Sequence, residues 1–228
     1  MASLSGAKRK RVETNMIDQA NQRTDEDFIK EHLRPSEPSW TSWTHPKTKE
    51  NYTFSLVNSA KIPERDLLSC YHLIEETSRA DYEASTTGWH KEKKIKEMGS
   101  TGLRYILVKD VVGKLKGFTS LMPTFEEGEP VVYCYEIHLQ PELRGSGLAK
   151  FLMGFLERVA ANTPPITKVM LTCFLSNQHA LAFYKNSGFE ADPISPEPRK
   201  LRFGKEFVPD YVIMSKVVAK RDSAVSGS

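Results

Sequence analysis

Apolar and polar residues along this chain keep changing period, and each change marks an element. Tyr52 to Val57 alternates with a period of two and predicts a strand. Pro63 and Glu64 open a helix whose Leu67, Leu68, Tyr71 and Ile74 share one face. Arg104 to Lys109 and Lys116 to Leu121 are short strands around Asp110 to Leu115, where Gly113 supplies the turn, and together they predict a hairpin. Val131 to Leu139 is a further strand. After the loop Arg144 to Ala149 comes a helix that places Leu148, Phe151, Leu152, Phe155, Leu156 and Val159 on one apolar face. Lys168 to Phe174 is almost continuously apolar, the pattern of a strand covered on both sides. A last helix runs from about Asn177 to Asn186 and stops at Gly188, with Phe189 placed for the contact that follows a left-handed cap. Residues 190–209 carry Pro193, Pro196, Pro198 and Pro209 and predict a long loop, and Tyr211 to Val217 closes the series as a strand. The order strand, helix, three strands, helix, strand, helix, strand predicts an α/β fold with a mixed central sheet flanked by helices and no internal repeat.

Upstream, residues 1–14 are polar and predict a disordered basic tail, and Asp25 to Leu33 has Phe28, Ile29 and Leu33 at helical offsets. Between Arg34 and Lys47, Pro35, Pro38 and Pro46 argue against a regular element, while Trp40 and Trp43 argue for an arm that packs onto the domain. A chain of 228 residues with 39% hydrophobic content supports one core. The division expected is the tail, an arm over 15–50, a domain over 51–218, and a second tail over 219–228. No apolar run approaches the roughly 20 residues a bilayer requires, and no h-region follows the charged N-terminus, so a soluble, non-secreted protein is expected. Cys70, Cys134 and Cys173 have no disulfide or metal-ligand spacing, and no metal site is predicted. A net charge of +3 argues against a dedicated or sequence-specific nucleic-acid binder. The run Lys8, Arg9, Lys10, Arg11 fits nuclear import or a solvated tail, and both readings stay open.

The segment Arg144-Gly145-Ser146-Gly147-Leu148-Ala149 lies between a strand and an amphipathic helix. A glycine-rich turn at a helix N-terminus presents unpaired amides and the positive end of the macrodipole, which suits a pyrophosphate. An ordinary strand-to-helix turn is the other reading. The loop has neither the Lys-Ser/Thr pair of a Walker loop nor a Rossmann spacing.

Arg-x-x-Gly-x-Ala over 144–149, followed by Asn177 to Tyr184 and then Lys185-Asn186-Ser187-Gly188-Phe189, resembles the two signatures of the GNAT acetyltransferase family. The resemblance covers about residues 50–217 and implies the GNAT fold and acetyl-CoA as cosubstrate. It also implies a diphosphate cradle from Arg144, Gly145, Ser146, Gly147, Leu148, Ala149 and Lys150. The backbone of Ile137, His138 and Leu139 would pair with pantetheine, and Asn177 would contact the cofactor.

The run Tyr133-Cys134-Tyr135-Glu136, with Val169 to Thr172 and Tyr82 to Trp89, resembles in particular those members that acetylate the N-terminal serine of histones H4 and H2A. That implies Glu136 as general base through water with Tyr135 beside it, and a peptide site lined by Tyr82, Glu126, Tyr133, Tyr135, Thr172 and Tyr211. Tyr184 is either the acid that protonates the leaving thiolate or a core aromatic. Thr124 and Thr87 stand where the family has an acidic residue and a tryptophan, for which Glu127, Glu129 or Trp89 would compensate. Histone tails as partners, no membrane, no obligatory auxiliary subunit, and residence in nucleus and cytoplasm follow from the same resemblance. A lysine or broader acetyltransferase and a non-catalytic histone-binding module are the alternatives. Strict alternation along Val131 to Leu139 puts Tyr133 and Tyr135 on one face and Glu136 on the other, so one shared site requires a bulge near Glu136 or Ile137. His138 and His179 are read as satisfied polar residues.

Overall fold

The computed structural model describes residues 16–35, 40–200 and 206–219; the run Lys8–Arg11 and the tail predicted over 1–14 lie outside the described residues, as does the C-terminal tail beyond Ala219. The strands are β1 (Ser42–Thr44), β2 (Asn51–Asn58), β3 (Arg104–Lys109), β4 (Leu115–Glu126), β5 (Glu129–Leu139), β6 (Lys168–Phe174), β7 (Glu190–Ala191), β8 (Arg199–Lys200), β9 (Glu206–Phe207) and β10 (Tyr211–Val217). Eight of them form one sheet in the order β1-β2-β3-β4-β5-β6-β10-β7, and β8 pairs with β9 as a separate ribbon. Every pairing in the large sheet is antiparallel except β5 with β6.

Helices cover both faces. On one face lie α3 (Glu64–Ala84) and α4 (Lys91–Met98). Their Cys70, Tyr71, Leu73, Ile74 and Met98 pack against Tyr105, Leu107 and Phe118. On the other face, α5 (Leu148–Asn162) sets Leu148, Leu152, Phe155, Leu156 and Val159 against Ile106, Leu121, Cys134 and Leu171. The alternation along β3 explains the split, because Tyr105 and Leu107 serve one cluster while Ile106 and Val108 serve the other. Val169, Leu171 and Cys173 of β6 face the α5-side core and Met170 is buried on the other face, which is why Lys168–Phe174 reads as an almost continuous apolar run, but Thr172 is exposed, so the second face is covered only in part.

Four details differ from the sequence expectation. Ser42–Thr44 is a short strand despite the prolines around it: none of the three prolines falls within it, and it lies at the sheet edge, where only β2 has to be paired. Leu68 is 41% exposed, and the buried face of α3 is instead Cys70, Tyr71, Leu73 and Ile74. The helix α4 is an element the periodicity did not predict. The loop over 190–209 contains β7 and the β8–β9 ribbon, with residues 201–205 outside the described ones. The end of α6 (Gln178–Asn186) follows its prediction: Gly188 is left-handed at φ +85°, its N–H bonds Lys185 O, and the Phe189 N–H bonds Tyr184 O at 3.0 Å. Phe189 is then 1% exposed.

The N-terminal arm is anchored by a buried cation. The helix α1 covers residues 16–22, α2 (Asp25–Phe28) runs on as a π-helical turn over Ile29–Leu33, and both surround Arg104 at the start of β3. The Arg104 guanidinium is fully buried, donates to Asn21 O and Arg23 O, lies 3.7 Å from Asp25 and stacks 4.0 Å over the Phe28 ring. Removing one member of a buried pair strands the other. Arg104→Met is therefore expected to cost about 3 kcal/mol of stability, measured by urea denaturation followed through Trp40 and Trp43 fluorescence.

Candidate active site

The strand pair β4–β5 carries the feature on which the site depends. Ser120 pairs with Glu136 and Leu121 with Cys134, so Tyr135 is an extra residue on β5 and the register shifts there. A bulge of this kind resets the alternation beyond it. Cys134, Ile137 and Leu139 join the α5 side, while Tyr135 packs on the α3 side and the His138 ring lies 5.6 Å from Phe118 of that cluster. Glu136 thus shares a face with Tyr133 and Tyr135, whose rings are 5.1 Å apart. The bulge lies one residue before Glu136, beside the position the sequence required.

Around these residues the structure collects a wall of aromatic rings. Tyr133 Oη is 2.6 Å from Thr172 Oγ1 on β6. Tyr82, near the end of α3, meets Phe174 at 4.8 Å and Trp89 at 5.4 Å. Tyr211 pairs with Phe174 in the β10–β6 register, so the two share a face. Glu126 lies at the β4–β5 turn, where Glu127 at φ +47° and Gly128 at φ +85° make a two-residue hairpin, and its charge bears on Tyr133 and Tyr135. Partial burial, with Glu127 adding to it, raises the Glu126 carboxyl above its ordinary value. Of the three residues expected to offset Thr124 and Thr87, Glu129 is engaged by Lys168, Glu127 is exposed on the turn, and Trp89 is the one within the aromatic wall.

Glu136 is not the exposed rim carboxylate that a plain surface salt bridge would give. Its side chain is 10% exposed; Lys94 Nζ donates to one oxygen at 2.9 Å and His138 Nε2 approaches the other at 2.5 Å. Burial opposes the ion, but Lys94 and then the His138 hydrogen bond outweigh it and hold the carboxyl at about 2. Thr77 Oγ1 fixes the other ring nitrogen of His138 at 2.6 Å, as expected of a satisfied polar histidine. Ser120, opposite Glu136, keeps a buried hydroxyl with no partner among the described residues. Burial, and then the Glu136 charge, push Tyr82 up to about 12, so its phenol stays protonated at neutral pH.

Beyond Cys134, β5 loses its neighbour: the pairing with β6 ends at Cys134↔Leu171 although both strands continue. From Ile137 to Leu139 that edge of β5 has no strand beside it among the described residues, and the Leu139 carbonyl on it accepts from Arg144 Nε. The loop that follows turns through Gly145 at φ +70° and Gly147 at φ +89°, the latter capping α5. A Cβ at either glycine would meet nothing within 4 Å, so open space lies before the loop. Arg144 Nε donates to Leu139 O, while Ser146 Oγ donates to Leu143 O and accepts from the Leu148 amide at 3.4 Å, so the first-turn amides of α5 without a capping side chain are those of Ala149 and Lys150.

Two predicted residues have structural duties as well. Asn177 caps α6, its side chain accepting from the Ala180 amide at 3.0 Å. Tyr184 is buried on the α5 face between Phe183 and Phe189, and burial raises its phenol well above the ordinary value. His179 is exposed. Sequence reasoning missed Lys94, Thr77 and Ser120. Only Lys94 left a trace, as a charge at the same helical face as Met98.

Residues 66–189 match the acetyltransferase (GNAT) family. The chain is 32% identical over 153 residues to N-alpha-acetyltransferase 40 of Saccharomyces cerevisiae, an alignment covering 57% of this chain and 53% of that protein, so it spans about half the length of that relative. Among solved structures, Tetrahymena GCN5 superposes with a TM-score of 0.54 at 10% identity, over 74% of this chain and 98% of that one. A GNAT-family acetyltransferase from Staphylococcus aureus gives 0.52 at 10% identity, over 73% of this chain and all of that one. At these identities the superpositions speak for the fold, and the match over more than half of the sequence speaks for the family: the chain belongs to the GNAT acetyltransferases, a family that uses acetyl-CoA, and is a homologue of an N-alpha-acetyltransferase.

Proposed function

We propose that this protein transfers acetyl from acetyl-CoA to the N-terminal amine of a protein substrate, and that the substrate is the Ser-Gly-Arg-Gly terminus of histones H4 and H2A. The observation that carries the reading is the bulge at Tyr135, which sets a buried carboxylate among the tyrosines of one site, beside the strand edge and loop that fit acetyl-CoA. The open left-handed glycine loop and the first turn of α5 suit its diphosphate, with Arg144 to Lys150 as the cradle, and the edge of β5 from Ile137 to Leu139 suits its pantetheine. When bound, acetyl-CoA supplies an acetyl thioester that an amine can attack.

The attacking amine must be neutral. An α-amine titrates near 8 and is partly neutral at pH 7, whereas a lysine near 10.4 is almost wholly charged. As the C–N bond forms, the amine's proton becomes far more acidic, so a weakly basic carboxylate such as Glu136 suffices to take it, directly or through one water. Tyr82, Tyr133, Tyr135, Thr172 and Tyr211 hold the first residues of the peptide, and Glu126 draws the arginine that follows. Tyr184 keeps its proton at neutral pH and is the candidate to return one to the leaving thiolate, although burial makes it a weaker acid than an ordinary phenol. The basic run near the N-terminus suits residence in the nucleus as well as the cytoplasm, and no auxiliary subunit is invoked.

The test uses two H4 peptides, one with a blocked N-terminus and one with every lysine blocked. Mass spectrometry is expected to find acetyl only on the second; acetylation confined to the first would make this a lysine acetyltransferase instead. Neither peptide reacting, with binding retained, would favour a non-catalytic histone-binding module.

A further inference from the structure

The segment Lys91–Met98, KEKKIKEM, has the composition of a surface helix, and its Lys91, Lys93 and Lys96 are exposed. Lys94 alone among the four lysines turns inward, its side chain 7% exposed beside Met98. A buried ammonium costs several kcal/mol of desolvation that an apolar side chain at this position would not incur. The cost is offset by three partners: Glu136 at 2.9 Å, Glu97 at 2.8 Å and the Tyr82 ring at 4.9 Å. Two of the three belong to the site. The same helix begins next to Trp89, which packs on Tyr71 and Tyr82.

We propose that Lys94 is a positioning residue for acetyl transfer: from α4 it clamps one oxygen of Glu136 while His138 holds the other, so the carboxylate stays ionised in one orientation toward the tyrosine wall. The proposal rests on the reading of Glu136 as proton acceptor. Each carboxylate oxygen has a second lone pair, so the clamp leaves room for the amine or its water. The groups that bear on Glu136 are Lys94 from α4, Tyr82 from α3, Tyr105 from β3, Cys134 and His138 from β5, and Tyr184 from α6, while Glu97 of α4 bears on Lys94 itself. Lys94 is the lysine among them. The Tyr105 hydroxyl is already spent on Met98 O, and Glu97, being of like charge, cannot replace Lys94.

Without that cation only the His138 contact would oppose burial, and Glu136 would take up its proton at a higher pH than in the wild type. For Lys94→Met, kcat/KM is expected to fall about tenfold at pH 6 and less than about threefold at pH 8.5, with Lys94→Arg restoring most of the loss. Acetyl-CoA affinity by calorimetry should not change. A readout independent of turnover is the carbon-13 signal of the Glu136 carboxyl, assigned by its absence in Glu136→Gln. In the wild type it should stay ionised down to the acid unfolding range, and in Lys94→Met it should titrate between pH 4 and 8. A Glu136 signal that behaves alike in both proteins, or a rate loss equal at every pH, overturns the clamp. If the carboxyl titrates as expected and no peptide terminus is acetylated by any variant, the substrate reading falls and the clamp stands.

Discussion

Glu136→Gln is expected to lower kcat at pH 7.5 by about a hundredfold to a thousandfold while leaving acetyl-CoA affinity within about threefold. The substitution keeps the shape, removes the charge and turns one acceptor oxygen into an NH2 donor. Its amide oxygen still accepts from His138, and Lys94 retains Glu97 at 2.8 Å, so neither neighbour is stranded. The cofactor loop is a separate segment of chain beyond Leu139 and should not respond. Stability gives a second reading with a definite sign. Because the folded Glu136 carboxyl is depressed to about 2, its contribution is fully present above the unfolded value near ~4.3 and is lost as pH falls through that window. The melting temperature of Glu136→Gln should therefore lie furthest below wild type at neutral pH and converge with it toward pH 3. A rate within threefold of wild type would remove Glu136 from the chemistry.

The sequence made the sheet and two of its helices legible because burial there follows a single period. Lys168–Phe174 and the Leu148, Leu152, Leu156 stripe face cores on their expected sides. The bulge at Tyr135 was legible by a different route, from chemistry rather than hydropathy: two tyrosines and a carboxylate needed for one site contradict strict alternation, and only an extra residue resolves the conflict. What failed was everything that depends on a neighbour from elsewhere in the chain. Leu68 has the spacing of a core residue but faces solvent, since α3 rests on the sheet through Cys70, Tyr71 and Ile74. In KEKKIKEM the charges conceal the period, and nothing local says that Lys94, rather than Lys93, turns toward a carboxylate 42 residues away. Thr77 and Ser120 are ordinary polar residues until His138 and Glu136 are brought beside them.

The glycine loop yields the other large effect. Gly147 caps α5 at φ +89°, and a side chain there would enter open space rather than a neighbour. Substitution therefore acts in two separable ways. A left-handed backbone costs a non-glycine residue about 1–2 kcal/mol, and this falls on stability. A branched side chain also projects where a diphosphate must approach the amides of Ala149 and Lys150, and this falls on binding. Gly147→Ala should show mostly the first effect, whereas Gly147→Val should add the second and weaken acetyl-CoA by about a hundredfold, the equivalent of about 2.7 kcal/mol. Gly154, within the same helix and also without a neighbour within 4 Å of a built Cβ, is the control. Gly154→Ala should stabilise the protein by about 0.5–1 kcal/mol and leave acetyl-CoA affinity unchanged, because that position needs no special backbone and faces no ligand. Calorimetric titration of the three variants separates the terms, and a Gly147→Val protein that binds acetyl-CoA as tightly as Gly154→Ala would place the diphosphate somewhere other than the start of α5.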